Sequence, residues 1–264
     1  MTARQTVLLD LEGTLYTREG LLEGARAVVQ KLRADGHTLR FLTNTDSKDT
    51  AELHTALLAL GLDVRIDELF TPVVAAAVAL GGDPTARVLV LGNEAITTEL
   101  TNRIKVVGPH ENPTHVVVGD VRAHLTYTLL DDAFAALRRG AHLIALQKGQ
   151  YFLSDGSAHL DTGALVAALE YAASLTAQVV GKPSTDFVNL ALRSTPAPAN
   201  PRRTWIVGDD ASTDIAMGIK AGLRTVQVQT GKYTLQTTDT SLPVADDVVE
   251  SVKALPALIR KKAL

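Results

Sequence analysis

The sequence contains no cysteine among its 264 residues. Disulfides, thiolate metal sites and cysteine nucleophiles are therefore excluded, although the compartment is not identified by this. Charge of one sign is also lacking. Lys and Arg total 26 against 29 Asp and Glu, a formal net charge of -3, which offers no electrostatic footprint for nucleic acid. No apolar run reaches the ~20 residues of a membrane span. The opening Met1-Thr2-Ala3-Arg4-Gln5 lacks the apolar core of a signal peptide. The expectation is a cytoplasmic chain with neither a membrane nor a nucleic acid as partner. No repeat of solenoid period is found. What is present is 46% hydrophobic and 21% charged, a balance that builds a packed core rather than a disordered chain.

Short β-rich runs alternate with helical stretches along the chain. Strands are expected at Val7–Asp10, Leu39–Thr43, Arg87–Leu91, His115–Gly119, Leu143–Gln147, Val179–Val180, Thr204–Gly208 and Thr225–Val228. Helices are expected at Leu22–Asp35, Lys48–Leu60, Leu129–Arg139, Ala164–Ser174, Thr185–Ser194 and Asp214–Ala221, the first two closed by Gly36 and Gly61. Such alternation predicts an α/β fold, a parallel sheet with helices on both faces and the strand-following loops along one edge. The segment from about Leu80 to Gln178 separates two blocks that carry carboxylate-ended strands. With Gly81-Gly82-Asp83-Pro84 as its exit, it reads as an inserted domain over 81–178, between core segments 1–80 and 179–264. One continuous large sheet is the alternative.

Four strand ends carry the chemistry. Val7-Leu8-Leu9 runs into Asp10-Leu11-Glu12-Gly13-Thr14. Leu39-Arg40-Phe41-Leu42 ends in Thr43-Asn44. Val179-Val180 precedes Gly181-Lys182-Pro183. Trp205-Ile206-Val207 ends in Gly208-Asp209-Asp210, with Asp214 four residues further on. Ligands and catalytic groups collect at strand C-termini in α/β proteins. A carboxylate there can act as a nucleophile, and a second one two residues later as a general acid/base. Phosphoryl transfer through an aspartyl-phosphate needs these parts. A divalent metal offsets repulsion between the nucleophile and the phosphate, and Mg²⁺ takes hard oxygen ligands, which Asp10, Asp209 and a main-chain carbonyl can supply. A hydroxyl and an ammonium, Thr43 and Lys182, can hold the remaining phosphate oxygens. Each residue has a plainer explanation alone: Asp10 and Glu12 as turn residues, Thr43-Asn44 as a helix cap, Lys182 as a solvated lysine, Asp209 and Asp210 as caps. Four in this order, each at a strand end, outweigh those explanations.

These four motifs resemble those of the haloacid dehalogenase superfamily. The first two lie 33 residues apart and leave no room for a cap, whereas 139 residues separate Thr43 from Lys182. That spacing is similar to the type IIA, or NagD-like, branch, with an α/β cap of type C2 on a Rossmann-like core. The segment Gly222–Tyr233 is similar to the branch holding the phospholysine phosphohistidine inorganic pyrophosphate phosphatase. The resemblance implies a Mg²⁺-dependent phosphatase for a small phosphorylated molecule. It implies Asp10 as nucleophile, Glu12 as acid/base, and Thr43 and the N–H groups around Asn44 as phosphate ligands. Lys182 would stabilise nucleophile and transition state. Asp10, Asp209 and the carbonyl of Glu12 would hold the metal, with Asp210 and Asp214 behind them. It also implies a homodimer formed through the cap.

One residue departs from the family's pattern, which usually has aspartate where this chain has Glu12. The extra methylene moves the carboxyl by ~1.5 Å, and misplacement on that scale costs on the order of 10²-fold in rate. Glutamate nevertheless carries the same proton chemistry, and an enolase-phosphatase branch resembles this Asp-x-Glu-Gly-Thr pattern. Glu12 also motivates the main alternative, a catalytically weak relative that binds a phosphorylated ligand. Carbon–halogen chemistry would not need Asp209 and Asp214, and phosphomutase chemistry stays open. In the inserted segment, Asp120, Tyr127, Asp155-Gly156 and Asp161-Thr162-Gly163 are candidate substrate-facing residues, each with an ordinary turn or strand-end role as the stronger reading.

Overall fold

The computed structural model describes residues 4–154, 157–197 and 199–262. The chain opens with β1 (Thr6–Asp10), a small hairpin of β2 (Tyr16–Thr17) and β3 (Gly20–Leu21), then β4 (Thr38–Leu42) and β5 (Leu69–Phe70). It continues through β6 (Val88–Leu91), β7 (His115–Val118), β8 (His142–Ala145), β9 (Tyr151–Ser154), β10 (Ser157–Leu160) and β11 (Gln178–Val179). It closes with β12 (Thr204–Gly208), β13 (Arg224–Val228) and β14 (Asp247–Val249). Two compact units result. One comprises Met1–Thr43, Ala51–Phe70 and Lys182–Leu264, the other Asn44–Thr50 and Thr71–Gly181.

The first unit is built on a six-stranded sheet in the order β14-β13-β12-β1-β4-β5, parallel throughout. Val7, Leu8 and Leu9 are wholly buried, as both faces of a helix-covered parallel strand require. The helix Ala25–Ala34 turns Val28, Val29 and Leu32 into the same core as Val7, Leu9, Phe41 and Trp205. From β1 the chain reaches β4 on one flank, and after residue 200 it returns as β12 on the other. Strand order therefore reverses at β1. In an open α/β sheet that reversal opens a crevice beyond the strand C-termini, and Asp10, Thr43 and Asp209 stand there.

The second unit has its own parallel sheet, β11-β8-β7-β6, and an antiparallel pair, β9 with β10. Its helix Pro72–Leu80 is capped by Thr71, whose Oγ1 accepts the Val74 N–H at 3.2 Å. Pro72 at the first helical position costs nothing, because no N–H is needed there. Asp161 caps the helix Thr162–Ala173, Asp120 pairs with Arg122 at 2.8 Å, and Tyr127 stands exposed at a helix start. Asp155-Gly156 lies outside the described residues. Among the described residues no helix is long and apolar enough to cross a membrane.

Candidate active site

Asp10 ends the central strand of the first unit, and its carboxylate is buried. Immediately after it the chain winds into a tight turn. The Leu11 carbonyl accepts the Leu15 N–H at 2.8 Å, and the Gly13 N–H reaches the Tyr16 carbonyl at 2.7 Å. That winding brings residue 14 back over residue 10, so Thr14 Oγ1 donates to Asp10 Oδ2 at 2.8 Å. Asp10 Oδ1 accepts the Lys182 ammonium. Lys182 is buried and also faces Asp214 Oδ1 at 2.9 Å. Burial pulls the Lys182 ammonium down, but the two carboxylates more than offset this and the net direction is up. Lys182 therefore stays charged.

Asp209 follows β12 and is buried. Its Oδ2 accepts the main-chain N–H of Lys232 at 2.7 Å, and its own carbonyl accepts Gln227 Nε2 at 3.1 Å. Gly13, at φ +89°, and Gly231, at φ +55°, form a cradle for this carboxylate. A Cβ built on either would overlap Asp209 Oδ2. Both glycines are thus required twice, for a left-handed backbone and for the space. Burial, then Asp10, pushes the Asp209 carboxyl up to about 6.

Asp214 reaches the site from a widened π-type turn over Ala211–Ile215 that precedes the helix Ala216–Lys220. Helical periodicity alone does not disclose this extra residue, and such turns recur at functional sites. Gly208 leaves the room, since a Cβ there would overlap the Asp214 carboxylate. Burial raises the Asp214 carboxyl, Lys182 opposes the rise and Asp10 adds to it, and the net direction is up.

Ligand oxygens of Asp10, Asp209 and Asp214 all lie within 4.8 Å of one another. Three buried carboxylates meet one buried ammonium, so the cluster carries uncompensated negative charge. The carboxyls of Asp209 and Asp214 are raised for that reason together with burial. A hard divalent cation fits such an all-oxygen donor set and would relieve the repulsion.

Asp210 is set differently. Its Oδ1 accepts Ser212 N at 2.9 Å and Gln236 Nε2 at 2.7 Å, and its Oδ2 accepts Lys232 Nζ at 2.8 Å. Burial raises its carboxyl, but these donors, Lys232 first, outweigh it and hold the group down at about 2. Glu12 is exposed, and no hydrogen bond or ion pair engages its carboxylate among the described residues. Thr43 follows β4 and is buried. Asn44 comes next in the chain, half-buried, and is grouped with the second unit. The neighbouring Tyr16 phenol is pushed up to about 12 by burial, then by Glu12 and Asp10.

Sequence reasoning did not single out Thr14, Lys232 or Gln236. The first has a signal, a hydroxyl four residues after a strand-end carboxylate. The others follow Thr230-Gly231 at the end of a strand adjacent to β12, where a glycine marks close backbone approach. The Gly231→Ala substitution should remove about 1–3 kcal/mol of stability, combining left-handed strain with the overlap. Urea denaturation tests this, and a midpoint equal to wild type would show that the cradle is not close-fitting.

Comparisons with known proteins bear on this geometry. A family model for haloacid dehalogenase-like hydrolases matches residues 7–103, and a HAD-hydrolase-like model matches residues 179–255. The chain is 35% identical over 231 residues to the haloacid dehalogenase-like hydrolase domain-containing protein 2 of Bos taurus, spanning 88% of this chain and 86% of that protein. It is 33% identical over 233 residues to the human phospholysine phosphohistidine inorganic pyrophosphate phosphatase, covering 86% and 83%. Among solved structures it is similar to NagD from E. coli K-12, with TM-score 0.85, 28% identity and coverage of 96% and 98%. The p-nitrophenyl phosphatase from Archaeoglobus fulgidus gives TM-score 0.86, 25% identity and coverage of 97% and 99%.

Proposed function

The chain belongs to the haloacid dehalogenase-like hydrolase family, and from that premise we propose that it is a Mg²⁺-dependent phosphatase acting on a small phosphorylated molecule through an aspartyl-phosphate on Asp10. The observation that carries this reading is the convergence of Asp10, Asp209 and Asp214 around the Lys182 ammonium at the switch point of a parallel sheet. The names of several relatives and structural neighbours, p-nitrophenyl phosphatases among them, support the same class.

Asp10, Asp209 and the main-chain carbonyl of Glu12 would hold the cation, supported by Asp214 and Asp210. When bound, it supplies charge neutralisation between the nucleophile and the incoming phosphate. One oxygen of Asp10 attacks phosphorus and the bond to the leaving oxygen breaks. Glu12, exposed and unengaged, gives that oxygen its proton. Water then attacks the phosphorus of the aspartyl-phosphate, Glu12 takes the water's proton, and phosphate leaves with Asp10 restored. Lys182 neutralises Asp10 and the developing charge. Thr43 and the N–H groups around Asn44 orient the phosphoryl oxygens. Residues 81–178 act in this reading as an inserted cap, with 1–80 and 179–264 as core. The separate sheet β11-β8-β7-β6 supports an insertion in the middle of the chain, while the compact units favour edges nearer residues 71 and 181, so that the helix Pro72–Leu80 and β11 go with the insertion.

The test is hydrolysis of p-nitrophenyl phosphate with Mg²⁺ and with EDTA. Turnover that requires the metal supports the reading. A folded protein that binds Mg²⁺ yet hydrolyses neither this ester nor a panel of phosphate esters, pyrophosphate and N-phosphoryl compounds would favour the ligand-binding alternative. Glu12→Gln is expected to lower kcat by about 10²–10⁴-fold with Mg²⁺ affinity retained, because the predicted metal contact is main-chain. Isothermal titration and initial rates check the two halves, and wild-type turnover would remove Glu12 from its assigned role.

A further inference from the structure

The segment after β13 has little apolar reason to lie where it does. Its short helix Tyr233–Gln236 contributes no buried residue, and Leu235 is 82% exposed. A segment with so few apolar contacts belongs to the low-stability end of a fold, unless polar contacts hold it. Here they do, and every one of the following ends on the nucleophile turn or the motif after β12. Thr230 Oγ1 donates to the Gly13 carbonyl at 2.5 Å. The Lys232 N–H donates to Asp209 Oδ2 at 2.7 Å, and its Nζ to Asp210 Oδ2 at 2.8 Å. Gln236 is a two-way bridge, donating from Nε2 to Asp210 Oδ1 at 2.7 Å and accepting the Ala211 N–H on Oε1 at 2.8 Å.

We propose that Lys232 and Gln236 are positioning residues: by clamping Asp210 they fix a strap, residues 230–236, whose main-chain N–H sets the Asp209 carboxylate and thereby the affinity for the divalent cation. This rests on the reading of Asp209 as a metal ligand. It also gives Asp210 a distinct role, as the anchor of the strap rather than a group facing the cation. The arrangement is asymmetric. Asp209 Oδ2 is taken by the strap within the glycine cradle, which would leave the other oxygen, Oδ1, for the metal. Release of the strap frees the carboxylate to rotate, and a ligand that must be ordered upon binding binds more weakly.

The experiment is Mg²⁺ titration by calorimetry on wild type, Lys232→Met, Gln236→Leu and Lys232→Arg, with KM for p-nitrophenyl phosphate and the melting temperature measured alongside. Outer-shell partners of metal ligands typically change metal affinity by about 10–100-fold when removed. Lys232→Met and Gln236→Leu should each weaken Mg²⁺ binding by about tenfold, with KM for p-nitrophenyl phosphate unmoved once Mg²⁺ is saturating. Lys232→Arg, which keeps a cation within reach of Asp210, should restore most of the affinity. Should one variant fail to fold, the other carries the same test. Equal Mg²⁺ affinity across the folded variants, whatever their melting temperatures, overturns the strap alone. A wild type that binds no Mg²⁺ overturns both the strap and the metal-dependent reading. A wild type that binds Mg²⁺ but turns over no substrate overturns only the phosphatase reading, and the affinities then still decide the strap.

Discussion

Replacing Asp10 by Asn is expected to abolish turnover of p-nitrophenyl phosphate, with a fall on the order of 10⁴-fold or more. The substitution is nearly isosteric. Its amide oxygen can still accept from Thr14 Oγ1, the 2.8 Å partner of Asp10 Oδ2. Lys182 retains Asp214 at 2.9 Å, so the ammonium is not stranded and the fold should survive. What disappears is the anionic oxygen that attacks phosphorus in the proposed mechanism, and an amide cannot replace it at neutral pH. The measurement pairs initial rates with mass spectrometry for a phosphoryl adduct on the peptide containing residue 10. Turnover within tenfold of wild type would place the nucleophile elsewhere and end the aspartyl-phosphate mechanism.

The second large effect falls on stability. Lys182→Met keeps the length and volume of the stem but removes the one buried ammonium beside Asp10 and Asp214. Breaking a buried ion pair from one side costs about 3–5 kcal/mol, because the remaining charge is left uncompensated. For a chain of this size that corresponds to a melting temperature lower by roughly 6–20 °C. The sign of the pH dependence follows from the shift. Lys182 has its folded value raised above 10.5, so its contribution is fully present below that pH and is lost only as pH rises through the raised value. The deficit should therefore be complete at neutral pH. It should shrink in acid, where the orphaned carboxylates take up protons, and in saturating Mg²⁺. Differential scanning calorimetry in EDTA at neutral pH gives the answer. A melting temperature within a degree of wild type would show that the three carboxylates are not coupled through this lysine.

The sheet that carries these groups was legible because buried parallel strands read as short apolar runs that end abruptly in polar residues. Thr204–Gly208 matches its expected span, and Thr6–Asp10 differs from its expected span by one residue. The helix Pro72–Leu80 escaped because seven of its nine residues are buried, so no polar stripe marks its period. The hairpin β9–β10 escaped for the opposite reason, since the residues from Ser157 to Leu160 are exposed and lack an alternating apolar face. Asp214 was expected to open a helix, whereas the turn over Ala211–Ile215 comes first, and only backbone geometry reveals it. Within the site, the charged groups at strand ends were visible as residue types. Their supports were not: Lys232 and Gln236 act on Asp210 through hydrogen bonds across 22 and 26 positions, and Thr14, four residues after Asp10, meets it only through the tight turn between them.

The order of the strands has a consequence for biosynthesis. β1 is made long before β12, whose residues begin at Thr204 and which alone covers one of its two flanks. A nascent chain that has emerged to residue 179 already contains every strand of the sheet β11-β8-β7-β6, while Asp10 still waits for Lys182 and Asp209. Domains usually complete in the order they leave the ribosome, and here the second unit can finish before the first, whose last segment follows it in the chain. Asp10 is thus translated well before the Lys182 and Asp209 that surround it, so products truncated between them carry the carboxylate without the site.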